Sequence, residues 1–282
     1  MKLHVIETGF FKLDGGAMFG VVPKSIWQKT NPADTNNMCT WAMRCLLLEF
    51  DNRFMLIDNG IGDKQDAKFF SHYYLHGEDN LEKSLHKLGL DYPDITDMFL
   101  SHLHFDHCGG GIKYNKDKTG YELVFPNATY WSNKEHWCWA TQPNKREKAS
   151  FLTENIIPIS NSGHLKYVKG EGRFTSKIFI KYMRGHTDAL MVPMIKVNKK
   201  VVCFVSDLLP SVGHIPLPYV MGYDTRPLIT MEEKENFLNE AADSNYILFL
   251  EHDPLYEACT VERTEKGVRL KEAGKLSDFI GS

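Results

Sequence analysis

One stretch, His102-Leu103-His104-Phe105-Asp106-His107, constrains this chain more than any other part of it. It follows a short apolar run at 95–100 that has the length and composition of a buried strand. In extended backbone, residues two apart project on the same side, so His102 and His104 present both imidazoles to one point. Asp106 and His107 come where the chain turns, and Gly109, Gly110 and Gly111 give the backbone freedom to turn there. Imidazole is the commonest transition-metal ligand. Four ligand-type side chains in six residues are more than one tetrahedral ion takes from a single segment, so the spacing points to two metals. Chance would supply this string in roughly one chain per thousand of similar composition.

Further donors of the same kind occur in the same kind of place. Gly185-His186 follows a predicted strand at 178–183, Ser206-Asp207 follows one at 201–205, and Glu251-His252 follows one at 246–250. Each alone reads as a cap or a turn residue. With the first cluster they read as strand ends gathered into a site.

The rest of the chain suits a β-rich fold with helices between strands. A first strand covers 2–10, and 44–50 with 53–58 reads as a hairpin about Asp51-Asn52. Leu81, Leu85, Leu88 and Leu90 mark a helix ending near Gly89. Strands are expected at 124–131 and 178–183, helices at 133–140 and 145–155, and a second hairpin at 191–197 and 201–205. A helix at 232–242 carries an acidic first turn. No repeat, linker or low-complexity tract breaks the sequence, so one domain over 1–282 is the simplest organisation.

Composition narrows the function. Lys and Arg number 33 against 36 Asp and Glu, a net charge of −3, which removes the electrostatic case for nucleic-acid binding. No run of about 18 apolar residues exists to span a membrane. The N-terminus lacks the apolar core of a signal peptide, so a cytoplasmic location is expected. Six cysteines (Cys39, Cys45, Cys108, Cys138, Cys203, Cys259) are scattered without a C-x-x-C pair and are expected to be reduced.

In order along the chain, His102-x-His104-x-Asp106-His107, His186, Asp207 and His252 resemble the full ligand set of the metallo-β-lactamase superfamily. Leu56-Ile57-Asp58-Asn59-Gly60 resembles that family's strand-end Asp-x-Gly. The resemblance implies an α+β fold, a four-layer αβ/βα sandwich with two mixed β-sheets flanked by helices. It implies two divalent metals, zinc being the expected ion, with His102, His104 and His186 on one, Asp106, His107 and His252 on the other, and Asp207 bridging. His/Asp sites also accept iron, manganese or cobalt.

The segment Asp14-Gly15-Gly16-Ala17-Met18-Phe19-Gly20-Val21-Val22-Pro23-Lys24 looks most like the quorum-quenching N-acyl homoserine lactonases, in particular the YtnP-like subgroup. That likeness implies hydrolysis of a lactone or ester by water activated between the cations, with Asp207 passing the proton to the leaving oxygen. Met18, Phe19 and Trp27 are candidates for an acyl-chain wall, and core packing is their alternative. Related lactonases carry a tyrosine three residues after the bridging aspartate, where this chain has Pro210. His214 is the first choice to supply a donor instead, followed by Tyr219 and Tyr223. Rival readings are a glyoxalase-II-like thioesterase, a methyl-parathion-type organophosphate hydrolase, and a metal-stabilised binding protein without turnover. The expected partner is a small lactone or ester, and a homodimer is compatible with the resemblance.

Overall fold

The computed structural model describes residues 1–281. The chain forms two compact units, one from residues 1–9 and 43–170, the other from 10–42 and 171 onward.

The first unit is built on the strands Lys2–Asp14 (β1), Met38–Phe50 (β2), Arg53–Ile57 (β3), Asp97–Phe99 (β4), Ile112–Tyr114 (β5), Tyr121–Leu123 (β6), Thr129–Asn133 (β7) and Leu165–Val168 (β8); β1 and β2 each run on across a unit boundary. The sheet order is β1-β2-β3-β4-β7-β8, and β5 and β6 form a separate hairpin. The β2–β3 hairpin is antiparallel and turns at Asp51 and Asn52, with φ of 48° and 56°. Such positive values at both turn positions suit the twist of a two-residue hairpin and favour Asp and Asn. From β3 onward the pairs β3–β4, β4–β7 and β7–β8 are parallel. Ile6, Leu47, Leu56, Met98, Leu100 and Tyr130 make its core, and the helix Leu81–His86 contributes Leu81 and Leu85. The Asn80 side chain caps that helix by accepting the Lys83 N–H.

The second unit holds Gly172–Arg173 (β9), Ile178–Met183 (β10), Leu190–Val197 (β11), Lys200–Phe204 (β12), Ile247–Phe249 (β13), Ala258–Thr264 (β14) and Gly267–Gly274 (β15). Their order in the sheet is β15-β14-β13-β12-β11-β10-β9. Only β12 and β13 pair in parallel, which requires a crossover, and the helix Pro227–Ser244 lies in that connection. The helix begins with Pro at its first turn and ends on Asn245 in the left-handed region, φ 52°. Its buried residues Thr230, Lys234, Phe237, Leu238 and Ala241 recur at helical spacing. Two mixed sheets with helices give the α+β class expected from the sequence.

Three local expectations differ from the structure. The strand read at 124–131 is interrupted at Pro126-Asn127, so β6 ends at Leu123 and β7 starts at Thr129. The helix read at 145–155 lies instead at Thr153–Asn161. Asn144 diverts the earlier residues into a turn, its Oδ1 accepting the N–H groups of Arg146 and Glu147. The β14–β15 hairpin lies outside the strands expected from the sequence, since neither of its strands alternates buried and exposed residues cleanly. Among the described residues no disulfide joins any of the six cysteines, and no helix is long and apolar enough to cross a membrane.

Candidate metal centre

In the first unit, β4 delivers the chain into the segment that carries His102, His104, Asp106 and His107, all buried. His102 and His104 lie in the extended stretch before a one-turn helix, Phe105–Cys108, which holds the other two. The chain then passes against the 59–61 backbone so closely that a Cβ on Gly109 would sit 2.1 Å from the Ile61 carbonyl oxygen. Gly110 stands equally close to the Asn59 oxygen. The glycines are therefore required by contact with backbone, beyond the turning freedom inferred from sequence.

Each histidine in this half has one ring nitrogen engaged within its own unit. His107 Nδ1 faces Asp58 Oδ2 at 3.1 Å, and the same carboxylate accepts the Ser101 N–H at 2.7 Å. Asp58 adopts φ 56°, a left-handed conformation held by these bonds. His102 Nδ1 faces Ser101 Oγ at 3.1 Å. That leaves His102 Nε2 and His104 Nδ1 converging at 3.0 Å, while His104 Nε2 points to Glu147 Oε1 at 3.4 Å. His107 Nε2 lies 3.6 Å from Asp106 Oδ2. His136 Nε2 accepts the N–H of Leu103, fixing the residue between two ligands at 2.9 Å.

In the second unit, His186 and His252 approach opposite oxygens of one carboxylate. His186 Nε2 lies 3.0 Å from Asp207 Oδ2, and His252 Nε2 lies 3.0 Å from Asp207 Oδ1. Their other nitrogens are taken: His186 Nδ1 by Asp224 Oδ1 at 2.9 Å, His252 Nδ1 by the Ala42 carbonyl at 2.8 Å. Glu233 accepts the N–H groups of Arg184 and Gly185 and so fixes the backbone just before His186. Ser206 holds φ 45° next to Asp207. Burial alone pushes His186 down, but the Asp207 and Asp224 carboxylates outweigh it and raise its pKa to about 10. The proton so held is the one a cation would displace.

These spacings fit a metal. Neighbouring ligand atoms on a tetrahedral ion with bonds of 2.0–2.1 Å are about 3.3 Å apart. The 3.0 Å pairs are slightly closer than that. A nitrogen and carboxylate donor set, with the far side of each ring tied to a carboxylate, hydroxyl or carbonyl, is the usual environment of zinc-type ions.

Residues 44–252 match the family model described as the metallo-beta-lactamase superfamily. The chain belongs to that superfamily. An N-acyl homoserine lactonase from Bacillus cereus is 22% identical over 208 residues, 70% of this chain and 71% of the relative. The structure is similar to that of a probable metal-dependent hydrolase from Staphylococcus aureus, with a TM-score of 0.87, 26% identity and coverage of 97% and 96% of the two chains. AidC, a dizinc quorum-quenching lactonase in complex with the product N-hexanoyl-L-homoserine, matches with a TM-score of 0.76, 25% identity and coverage of 95% and 93%.

The residues proposed from sequence to touch substrate are placed differently from one another. Met18, Phe19 and Trp27 are enclosed in the second unit. Phe19 lies flat between Trp27 and His214, at ring distances of 5.3 and 4.4 Å. For these three to line an acyl chain, their segment would have to open. His214 is equally buried, with Nε2 donating to the Met18 carbonyl at 2.9 Å and Nδ1 facing Ser211 Oγ at 2.9 Å. A substrate-directed role for His214 would require giving up one of those bonds. Tyr219 is half-buried with its ring edge on Phe19, and Tyr223 is exposed.

Several supporting residues escaped the sequence reading. Asp224, Glu233, Glu147 and His136 each act on a ligand or its backbone from a distant part of the chain. The half-buried Phe69 and Tyr73 pack on Phe105, which lies between His104 and Asp106. The aromatic string Phe69-Phe70-x-x-Tyr73 was the available signal for that group. Asp253 caps the chain just after His252, accepting N–H groups from Val212, Leu255 and Tyr256.

Proposed function

We propose that the ligand residues of the two units act together on two divalent cations. His102 Nε2, His104 Nδ1 and His186 Nε2 would hold one, and Asp106, His107 Nε2 and His252 Nε2 the other, with Asp207 shared. The activity proposed is hydrolysis of a lactone, with an N-acyl homoserine lactone as the leading substrate class. The observation that carries the two-metal reading is Asp207, which offers one oxygen to each of two histidines whose remaining nitrogens are already engaged. Bound cations of this kind lower the pKa of water and polarise a carbonyl oxygen.

The chain's own groups do the rest. Buried ligands with their far nitrogens tied down need little rearrangement during the reaction. Asp207 can hold at a carboxylate oxygen the proton lost by the attacking water and return it to the leaving alkoxide. Phe69, Tyr73 and Phe105 give an apolar surface beside the His104–Asp106 segment, which suits a substrate with an acyl tail. The lactonase relatives support the same substrate class.

The test is a panel of N-acyl homoserine lactones of different chain lengths offered to zinc-loaded protein, with ring opening followed by acid release. Chelation and His104→Ala should each abolish turnover. Hydrolysis of simple esters without opening of any lactone would sink the lactone reading and keep the hydrolase one.

A further inference from the structure

We propose that Glu147 is a positioning residue for His104, and that it sets the affinity of one metal site and leaves the other untouched. The proposal rests on the two-metal reading above. His104 differs from the other histidine ligands in the nitrogen it presents: its Nδ1 converges with His102 Nε2, so its Nε2 points away from the proposed ion. What that nitrogen meets is a carboxylate oxygen, Glu147 Oε1 at 3.4 Å. Glu147 is only 3% exposed.

The carboxylate is held in place from its other side. Trp139 Nε1 donates to Oε2 at 2.7 Å, and Asn144 Nδ2 donates to the same oxygen. The Glu147 backbone is fixed too, since its N–H donates to Asn144 Oδ1 and its carbonyl accepts the Ser150 N–H. The Ser150 carbonyl in turn accepts the N–H of Phe105, next to His104, and the Phe151 ring lies 4.8 Å from the His104 ring. The 144–151 turn therefore grips His104 by charge and by contact.

Two donors, the Trp139 indole and the Asn144 amide, thus hold one carboxylate oxygen, and the other oxygen faces, at 3.4 Å, the ring nitrogen of a His104 whose Nδ1 is left for a metal. A glutamine could accept on one oxygen only, and whichever way it turned a donor would face its NH₂ group. The negative charge also raises the basicity of His104 Nδ1. Loss of such a carboxylate typically weakens a site about 10–100-fold.

The experiment titrates a chelator against fully zinc-loaded wild type, Glu147→Gln and Trp139→Phe, and repeats the measurement with cobalt, whose visible absorption reports coordination. In Glu147→Gln one of the two metal equivalents should be released at about 10–100-fold lower chelator strength, with the cobalt band of that equivalent altered and the second unchanged. Trp139→Phe removes a donor from the far oxygen only and should stay within about threefold of wild type. Circular dichroism of each variant monitors folding. If Glu147→Gln does not fold, Glu147→Asp, which keeps the charge but withdraws it by a methylene, should show the same selective release. Unchanged release from the Glu147 variants, or equal loss in Trp139→Phe, would overturn the proposal. If wild type itself fails to hold two ions, the two-metal reading falls first, and that outcome is separate from a failure at Glu147.

Discussion

His214 should make the stability of this protein fall on acidification by an amount that one substitution can isolate. Burial pushes its pKa down to about 3 from the ordinary 6.5, and Lys234 and His252 push the same way against the Met18 carbonyl and Asp207. Between those two values the unfolded chain binds a proton at this position and the folded chain does not. The stabilisation is therefore complete above pH 6.5 and is lost as pH falls toward 3, at about 1.4 kcal/mol per pH unit. From pH 7 to pH 4.5 that amounts to roughly 3 kcal/mol. His214→Gln keeps a donor for the Met18 carbonyl but cannot titrate. At neutral pH it should cost about 1 kcal/mol, through loss of the ring stacked at 4.4 Å on Phe19. The assay is urea unfolding of both proteins at matched metal content at pH 7 and 4.5. Groups common to both proteins cancel in the difference, so wild type should lose about 3 kcal/mol more than the variant. A difference that does not change with pH would refute the assignment of a neutral, proton-resistant imidazole between Ser211 and Met18.

Other perturbations act on the supports of the site. Asp224→Asn keeps one acceptor where the carboxylate meets both His186 Nδ1 and the Met221 N–H, so zinc affinity should fall about 10–100-fold in equilibrium dialysis. Gly110→Ala would place a Cβ 2.1 Å from a backbone oxygen that cannot swing aside, and the variant should melt well below wild type or fail to accumulate. Lys234→Met removes an ammonium that donates to the carbonyls of His214, Pro216 and Tyr219, and should destabilise by about 2–4 kcal/mol in urea. An unchanged unfolding midpoint would show that the 214–219 segment does not depend on that lysine.

The metal ligands could be read from the sequence because their geometry is local. Alternation in a strand puts His102 and His104 on one side, and a turn places Asp106 and His107 just beyond. The groups that orient them were less legible, since each comes from far along the chain: Asp58, 49 residues from His107, was marked only by the strand-end Asp-x-Gly, and Asp224, 38 from His186, by no local pattern. A lone Asp or Glu carries no mark of the ring it will face; only the tertiary fold selects it. The segment at 14–24, whose Gly15–Phe19 forms a short helix, shows the same limit from another side. Met18 and Phe19 carry the same side chains whether they line a substrate or fill a core, and periodicity does not separate the two. What closes them in is a partner 196 residues from Met18, the His214 ring whose N–H bonds the Met18 carbonyl. The opposite error occurred at 145–155, where helix-forming residues concealed a turn. There the short side chain of Asn144 captured two backbone N–H groups and left Glu147 aimed inward, so the residue that breaks the expected helix also supplies the carboxylate that faces His104.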